Sequence, residues 1–567
     1  MKKLLTMLMV LLVSFSAIVA PACVQDDIKT GENVINVKIF NAGYGTDYIY
    51  ALAEQFGETF KEEGYKVNVL APMEDLHGGK VNQEIYANDQ TADIYFTTSM
   101  GAEGFLTNDL GCQIEEMTDL FNMKPIGFDK KEESITIGEK LAATGIDFSD
   151  YTDYEGKKWC FPYVVGYSGL AVNTKLLGEF ELATPVTTNE FFNCYETIMA
   201  STLDTDIRPM TYSVSGNGYP TVAVSTWQIQ ASGEEAWNDF WSWENEDGSP
   251  KDCRKADCDG TTCNGHVWET FNTEYTTEAL SMFYAMLDYN TAALGSSSQS
   301  FTAAQKQLMK GESAFMLNGA WLLNEERVRH ADYINDIDFI KIPLISSLGV
   351  KLFGEGTKYN LSTEDCDKVL AAIARGVDQN KSVEEIKTQV DSAFGITLDL
   401  EDVKTVCNRR GFVQSRSNSP AVISKKSANK DLAKLFLRFC ASDDGGAMFA
   451  DKSWNPSPFN VVHLKETNIP WHVSIANIYE NQHTTIFNTA STGYRKDLGL
   501  GILYPWAGEV VSNRILETNY RATIYDDETK VKTGDYSHFR TKAIAFQNNI
   551  VNHAKTQMVN NGWMIID

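Results

Sequence analysis

Residues 35–96 constrain the fold more than any other stretch of the chain. In Ile35-Asn36-Val37-Lys38-Ile39 apolar and polar side chains alternate, the pattern of a strand. The loop Asn41-Ala42-Gly43-Tyr44-Gly45-Thr46 follows, with Asp47 as a candidate helix N-cap. Ile49, Leu52, Ala53, Phe56 and Phe60 then recur on one helical face, and Gly64 ends the helix. Tyr65, Val67 and Val69 alternate as a second strand, and a short helical stretch leads to a third, Asp93-Ile94-Tyr95-Phe96. Strand, helix, strand, helix, strand in this order predicts a parallel sheet with right-handed crossovers.

The α/β alternation returns further along. Leu170-Ala171-Val172, Ser313-Ala314-Phe315-Met316-Leu317, Ile337-Asp338-Phe339-Ile340-Lys341-Ile342 and Ala421-Val422-Ile423 all read as strands. The last leads to a helix with Leu432, Leu435, Phe436, Phe439 and Cys440 on one face, and the C-terminal hundred residues read mostly as helices. There is no internal repeat. Two segments look inserted: 245–266 is polar and carries three cysteines, and 353–410 is charged and helical.

The N-terminus addresses the compartment. Lys2 and Lys3 precede an apolar run from Leu4 to Val19, broken only by Thr6, Ser14 and Ser16. The run is short for a membrane span and has the layout of a secretory signal over 1–22. Two cleavages fit Ala20-Pro21-Ala22-Cys23. Small residues before a cysteine favour lipoprotein processing, with Cys23 as the lipidated first residue. Ordinary signal-peptidase cleavage leaves Cys23 a plain thiol, and Ala20 stands where lipoprotein sites usually carry Leu. Residues 23–34 read as a polar tether, and no later segment is long and apolar enough to span a bilayer.

Export permits disulfides. Nine of the ten cysteines lie beyond Cys23, so at least one stays free; Cys366 and Cys407, flanking the second insertion, are candidate partners. The net charge of −27 repels nucleic acid and anionic headgroups and carries no information about the ligand. The remaining ~540 residues exceed one small core and imply about two to four domains.

Five segments together resemble the extracellular sugar-binding proteins of ABC importers, the group that includes maltodextrin-binding protein. They are Val37 to Phe56; Ala92-Asp93-Ile94-Tyr95-Phe96-Thr97-Thr98; Phe161-Pro162-Tyr163 through Gly169-Leu170-Ala171-Val172-Asn173-Thr174-Lys175-Leu176; Gly311-Glu312-Ser313-Ala314-Phe315-Met316-Leu317-Asn318-Gly319-Ala320-Trp321; and Ile423 to Lys430 with its helix. Ala320 departs from the Asp or Pro, and Val172 from the Tyr, that many members carry. The resemblance implies an α/β, two-lobed periplasmic-binding-protein type II fold, with a hinge and a ligand cleft between the lobes. It places the first lobe at 35–160 plus 412–458 and the second at 161–411 plus 459–567. It implies a carbohydrate ligand, ABC importer membrane subunits as partners, no nucleic acid, no cofactor and a monomer tethered outside the cell membrane.

A sugar offers flat C–H faces to aromatic rings and hydroxyls to polar side chains. In open α/β sheets such a ligand lies at the carboxyl ends of strands. Trp321, after the turn Asn318-Gly319, is the stacking platform by resemblance; the competing reading is a core tryptophan. Trp506, in Tyr504-Pro505-Trp506-Ala507-Gly508, is a second candidate wall, and Tyr44 lies in a glycine-flanked loop where backbone comes close to a ligand. Thr98 and Ser99 either serve sugar hydroxyls or cap the next helix. Asn318 and Tyr163 are further candidate contacts. Trp227 is a weaker one, with core packing the stronger reading, and Trp237, Trp241 and Trp243 read as local packing.

Cys253, Cys258, Cys263 and His266 allow a Cys3His zinc site, with disulfides as the favoured alternative in an exported loop. Enzyme signatures are thin: Gly166-Tyr167-Ser168-Gly169 is followed by Leu170 where a nucleophile elbow needs Gly, and no P-loop, His-Glu-x-x-His or dinucleotide fingerprint occurs. A binding protein that is not an enzyme is the expectation. A secreted glycoside hydrolase, or a binding protein for a non-sugar solute, are the alternatives.

Overall fold

The computed structural model describes residues 28–97, 113–237, 272–487 and 523–560, apart from 42, 71, 75–78, 145–151, 153–155, 202–205, 214–218, 297, 418, 461, 527–528, 530 and 536. In chain order the strands are β1 (Val34–Asn41), β2 (Lys66–Val69), β3 (Met73–Glu74), β4 (Ile94–Phe96), β5 (Phe161–Pro162), β6 (Gly166–Asn173), β7 (Arg208–Met210), β8 (Ser313–Gly319), β9 (Ile337–Ile340), β10 (Phe412–Ser417), β11 (Pro420–Ile423) and β12 (Thr485–Phe487). They form two sheets, ordered β2-β1-β4-β11-β5 and β12-β10-β6-β8-β7, with β3 added to β1 and β9 to β6.

The first sheet begins as its sequence predicts. β1 pairs in parallel with β2 and β4, and β11 then joins β4 antiparallel. Ile35, Val37, Ile39, Ile94 and Phe96 face the helix Asp47–Thr59, which buries Ile49, Leu52 and Phe56. The N-cap of that helix is Thr46, one residue before the expected Asp47. Phe56 meets Phe436 and Phe439 edge-on at 5.3 and 5.4 Å, locking the helix Lys430–Cys440 onto the same face. The polar positions of β1 are also buried. Lys38 pairs with Glu84 at 2.6 Å, and the Asn36 amide donates to Asp93 at 2.7 Å. A buried polar group is tolerated when it is bonded in this way.

The second sheet is mixed. β6 is its central strand and pairs antiparallel with β8, β9 and β10. All eight residues of β6 are buried, because helices and neighbouring strands cover both faces. The sequence assigns 412–417 to the first lobe and 161–162 to the second. In the structure β10 pairs in the second sheet and β5 in the first, so two exchange points fall between Pro162 and Gly166 and between Ser417 and Pro420, and a third falls between Phe459 and Leu464.

The 353–410 segment is not an appendage. Its helices Thr363–Asp378, Val383–Phe394 and Leu400–Gly411 present Val369, Ile373, Val377, Val403 and Val406 to the same core that holds Leu170 and Phe315. Ser382 and Glu385 close a capping box on the second of these helices. Cys366 and Cys407, candidate partners from the sequence, are not joined by a disulfide. Both are free and buried, each packed into that core from its own helix. Burial pushes the Cys407 thiol up to about 12, so it behaves as a small apolar side chain. Cys160, Cys194 and Cys440 are also free. Near the C-terminus the described helices are Pro470–Glu480 and Ser537–Asn560.

Candidate functional site

The loop after β1 and the turn after β8 come from different sheets and meet. Both lie at carboxyl ends of strands, where an open α/β sheet leaves backbone groups and loops free to receive a ligand. The rings of Tyr44 and Trp321 sit 5.9 Å apart at 73°, edge to face, a favourable aromatic geometry. Trp321 caps the short helix Leu322–Glu326, and its indole folds back over Gly319, where a β-carbon would collide with it. Gly43 is equally constrained: a β-carbon there would stand 2.8 Å from the Trp321 ring and 2.8 Å from Glu325 Oε1. The glycines of both segments therefore permit close approach rather than mere flexibility.

Polar contacts follow the same seam. Asn324 Nδ2 donates to the Gly43 carbonyl at 2.6 Å, and Arg327 reaches Asp47 at 3.4 Å. The Arg327 guanidinium also lies over the Trp454 ring at 5.1 Å. Below the seam, the Ala320 amide donates to the Tyr167 carbonyl at 2.9 Å, and Trp471 Nε1 donates to the Ala320 carbonyl at 3.0 Å. These two bonds fix the backbone immediately before Trp321.

The other expected contacts are distributed differently. Tyr163 stacks near Tyr48 at 6.2 Å and meets Phe96 edge-on at 4.8 Å; it is an internal packing residue at the exchange between sheets, 5 % exposed. Asn318 is buried, and its Oδ1 accepts from the Gly319 amide at 2.7 Å, so the side chain serves its own turn. Trp227 lies in the core of the second lobe at 1 % exposure, and its Nε1 donates to the Pro343 carbonyl at 2.9 Å. With ring and donor both engaged, Trp227 has no face for a ligand. Trp237 packs against Phe487 at 5.5 Å. Thr98, Ser99, Trp506, Trp241, Trp243 and Cys23 lie outside the described residues, as do Cys253, Cys258, Cys263 and His266. Among the described residues no three metal-ligating groups cluster.

Asn324, Glu325, Arg327 and Trp471 went unremarked in the sequence. The first three follow Trp321 within two helical turns, and that spacing is the one local signal that could have found them.

Two sheets exchanging strands through short crossings, with carboxyl ends that meet at an aromatic seam, define a two-lobed binding protein. The chain belongs to the bacterial extracellular solute-binding protein family, which it matches over residues 42–447. Among curated proteins no sequence matches it. Solved structures share the fold at low identity. A protein studied for xylan utilization by Caldanaerobius polysaccharolyticus aligns at 11 % identity and TM-score 0.53, covering 93 % of this chain and 100 % of that one. An ABC transporter solute-binding protein from Thermotoga lettingae TMO, bound with α-D-tagatose, aligns at 12 % and 0.52, covering 92 % and 100 %. A probable secreted solute-binding lipoprotein from Streptomyces coelicolor aligns at 13 % and 0.51, covering 91 % and 99 %. Among the described residues no helix is long and apolar enough to cross a membrane.

Proposed function

We propose that the chain is the extracytoplasmic binding component of an ABC importer, and that it captures a carbohydrate by closing its lobes over the sugar. The observation that carries this is the meeting of Tyr44 and Trp321 across the seam, 5.9 Å apart. Two aromatic rings at strand carboxyl ends suit the flat faces of a sugar ring. The tagatose-bound relative and the xylan-utilization relative support the ligand class. The ligand is an oligosaccharide released unaltered, with no cofactor, and the protein acts as a monomer handing it to membrane subunits. Cys23 carries the lipid that tethers the chain to the outer face of the membrane.

A thermal-shift screen against sugars tests the reading. A ligand at about a hundredfold over its dissociation constant adds ~2.7 kcal/mol of stability. Recovery of the sugar unchanged separates binding from hydrolysis; shorter products would establish a glycosidase instead. Replacing Cys23 by Ala is expected to release the protein into the medium.

A further inference from the structure

Residues 29–34, which the sequence assigns to a polar tether, are bonded to the first lobe. The buried Asn36 side chain takes both backbone groups of Lys29: its Oδ1 accepts from the Lys29 amide at 3.0 Å, and its Nδ2 donates to the Lys29 carbonyl at 2.8 Å. Asn429 Nδ2 holds the next stretch, donating to the Gly31 carbonyl at 2.9 Å and the Val34 carbonyl at 2.8 Å. Asn33 Nδ2 donates to the Glu63 carbonyl at 3.0 Å, and the Asn33 carbonyl accepts from the Lys66 amide at 2.9 Å. One carboxylate sets both asparagines. Asp93 Oδ2 accepts from the Asn36 amide at 2.7 Å, and Asp93 Oδ1 accepts from Ser427 Oγ at 2.6 Å. Ser427 Oγ in turn accepts from the Asn429 amide at 3.1 Å. Packing adds little, because residues 28–33 are exposed and line a groove of about 390 Å³ shared with 90–93 and 426–429. Hydrogen bonds therefore fix this segment, at the edge where β1 and β4 begin. The Tyr44–Trp321 seam lies past the other end of β1, eight residues or about 26 Å away.

We propose that Asn36 and Asn429 make the amino-terminal edge of the first sheet the membrane-facing surface of the chain, by clamping 29–34 so that only the five residues 24–28 separate an anchor at Cys23 from the folded lobe. This rests on the reading of Cys23 as the lipidated residue and is independent of the ligand. From Cys23 to Lys29 the chain reaches about 20 Å at most, against about 40 Å to Val34 without the clamp. The shorter reach holds the exposed Lys66, Lys425 and Lys426, all at that edge, against the lipid surface. It also sets the seam a strand's length further out and leaves closure to the second lobe.

Hydrogen exchange reads the clamp, and lysine acetylation reads the face. In the mature chain the Lys29 amide is expected to exchange at least about tenfold more slowly than in the double variant Asn36→Ala, Asn429→Ala. The lipidated chain is then placed on phosphatidylcholine vesicles, zwitterionic so that the net charge of −27 does not decide the outcome. Lys66, Lys425 and Lys426 are expected to acetylate several-fold more slowly there than in the Cys23→Ala chain in solution. Lys368 and Lys404, exposed on the second lobe, are expected to label equally in both. The double variant on vesicles is expected to lose most of the protection. Equal exchange at Lys29 with and without the two asparagines overturns the proposal, as does protection that persists in the double variant. Should that variant not fold, Asn429→Ala alone, at a half-buried side chain, is expected to shift both readouts in the same direction, and unchanged values overturn the proposal. A chain that does not partition into the vesicles fails through the lipid at Cys23 and takes the membrane face with it. One that partitions without protecting these lysines overturns the proposal alone.

Discussion

Trp471 Nε1 donates to the Ala320 carbonyl at 3.0 Å, so a fully buried indole holds the residue that precedes Trp321. Trp471→Phe keeps most of the ring and removes the donor. A buried carbonyl left without its partner costs about 1–3 kcal/mol. Chemical denaturation is expected to show that loss, and calorimetry a weaker affinity because the turn beneath Trp321 loosens. Stability lost with affinity intact would mean that Tyr167 alone fixes the turn.

Trp321 itself separates two roles. If its ring is the ligand platform, Trp321→Ala costs ~2 kcal/mol or more of binding, over tenfold in affinity. A purely core tryptophan would instead cost about 3–5 kcal/mol of stability. Trp321 is buried within the first sheet's core cluster and also lies on the seam beside Tyr44, so the variant is expected to lose both binding and stability. Calorimetry and a melting curve on the same variant separate the two losses.

His472 predicts a pH-dependent stability. The ring is fully buried, with Nδ1 2.9 Å from Thr467 Oγ1, and burial followed by the charge of Arg327 pushes it down to about 4. The unfolded chain binds a proton near pH 6.5, while the folded one does not until about 4. This contribution is complete above about pH 6.5 and is lost as pH falls toward the folded value, at up to ~1.4 kcal/mol per pH unit. Urea midpoints measured at about pH 7 and about pH 5 are expected to differ less in His472→Asn than in the wild type.

Asp378 anchors the helical segment 353–410. Arg410 Nη2 and Lys341 Nζ each lie 2.7 Å from its carboxylate, and both cations are nearly inaccessible. Burial would raise the Asp378 carboxyl, but Arg410 and Lys341 outweigh it and hold it down to about 2. Asp378→Asn leaves two buried cations without a counter-charge, but the Asp378 side chain is itself 30 % exposed, so stability near neutral pH is expected to fall by about 1–3 kcal/mol, less than for a fully buried pair. Denaturant titration of the variant checks this, and a loss within a few tenths would mean that water reaches the pair.

Much of this architecture was legible locally. β1 was readable because Ile35, Val37 and Ile39 alternate, although its buried polar face could not be foreseen: Lys38 needed Glu84, from a helix 46 residues later. β8 and Trp321 were readable from a contiguous motif. β10 was missed because Phe412 to Ser417 is mostly polar and follows directly on a helix; its burial comes from β6 and β12 on either side. The same limit hid the seam. Asn324 and Gly43 are 281 residues apart, and no local pattern in either segment announces the other. Trp227 looked like a candidate because tryptophan type alone does not tell an exposed face from a core one; the acceptor at Pro343 does.

The exchange points between the sheets carry a mechanical consequence. β5 pairs with β11 and β6 with β10, both antiparallel, so two of the chain's passages between lobes run side by side as a narrow two-stranded ribbon, and a third follows between Phe459 and Leu464. Only three residues separate β5 from β6 and two separate β10 from β11. Such a ribbon flexes across its thin direction but resists shear and stretching, since either would break the pairing on both sides. Bending across that thin direction is therefore the motion between lobes that this ribbon opposes least, and the third passage of chain beside it limits twisting.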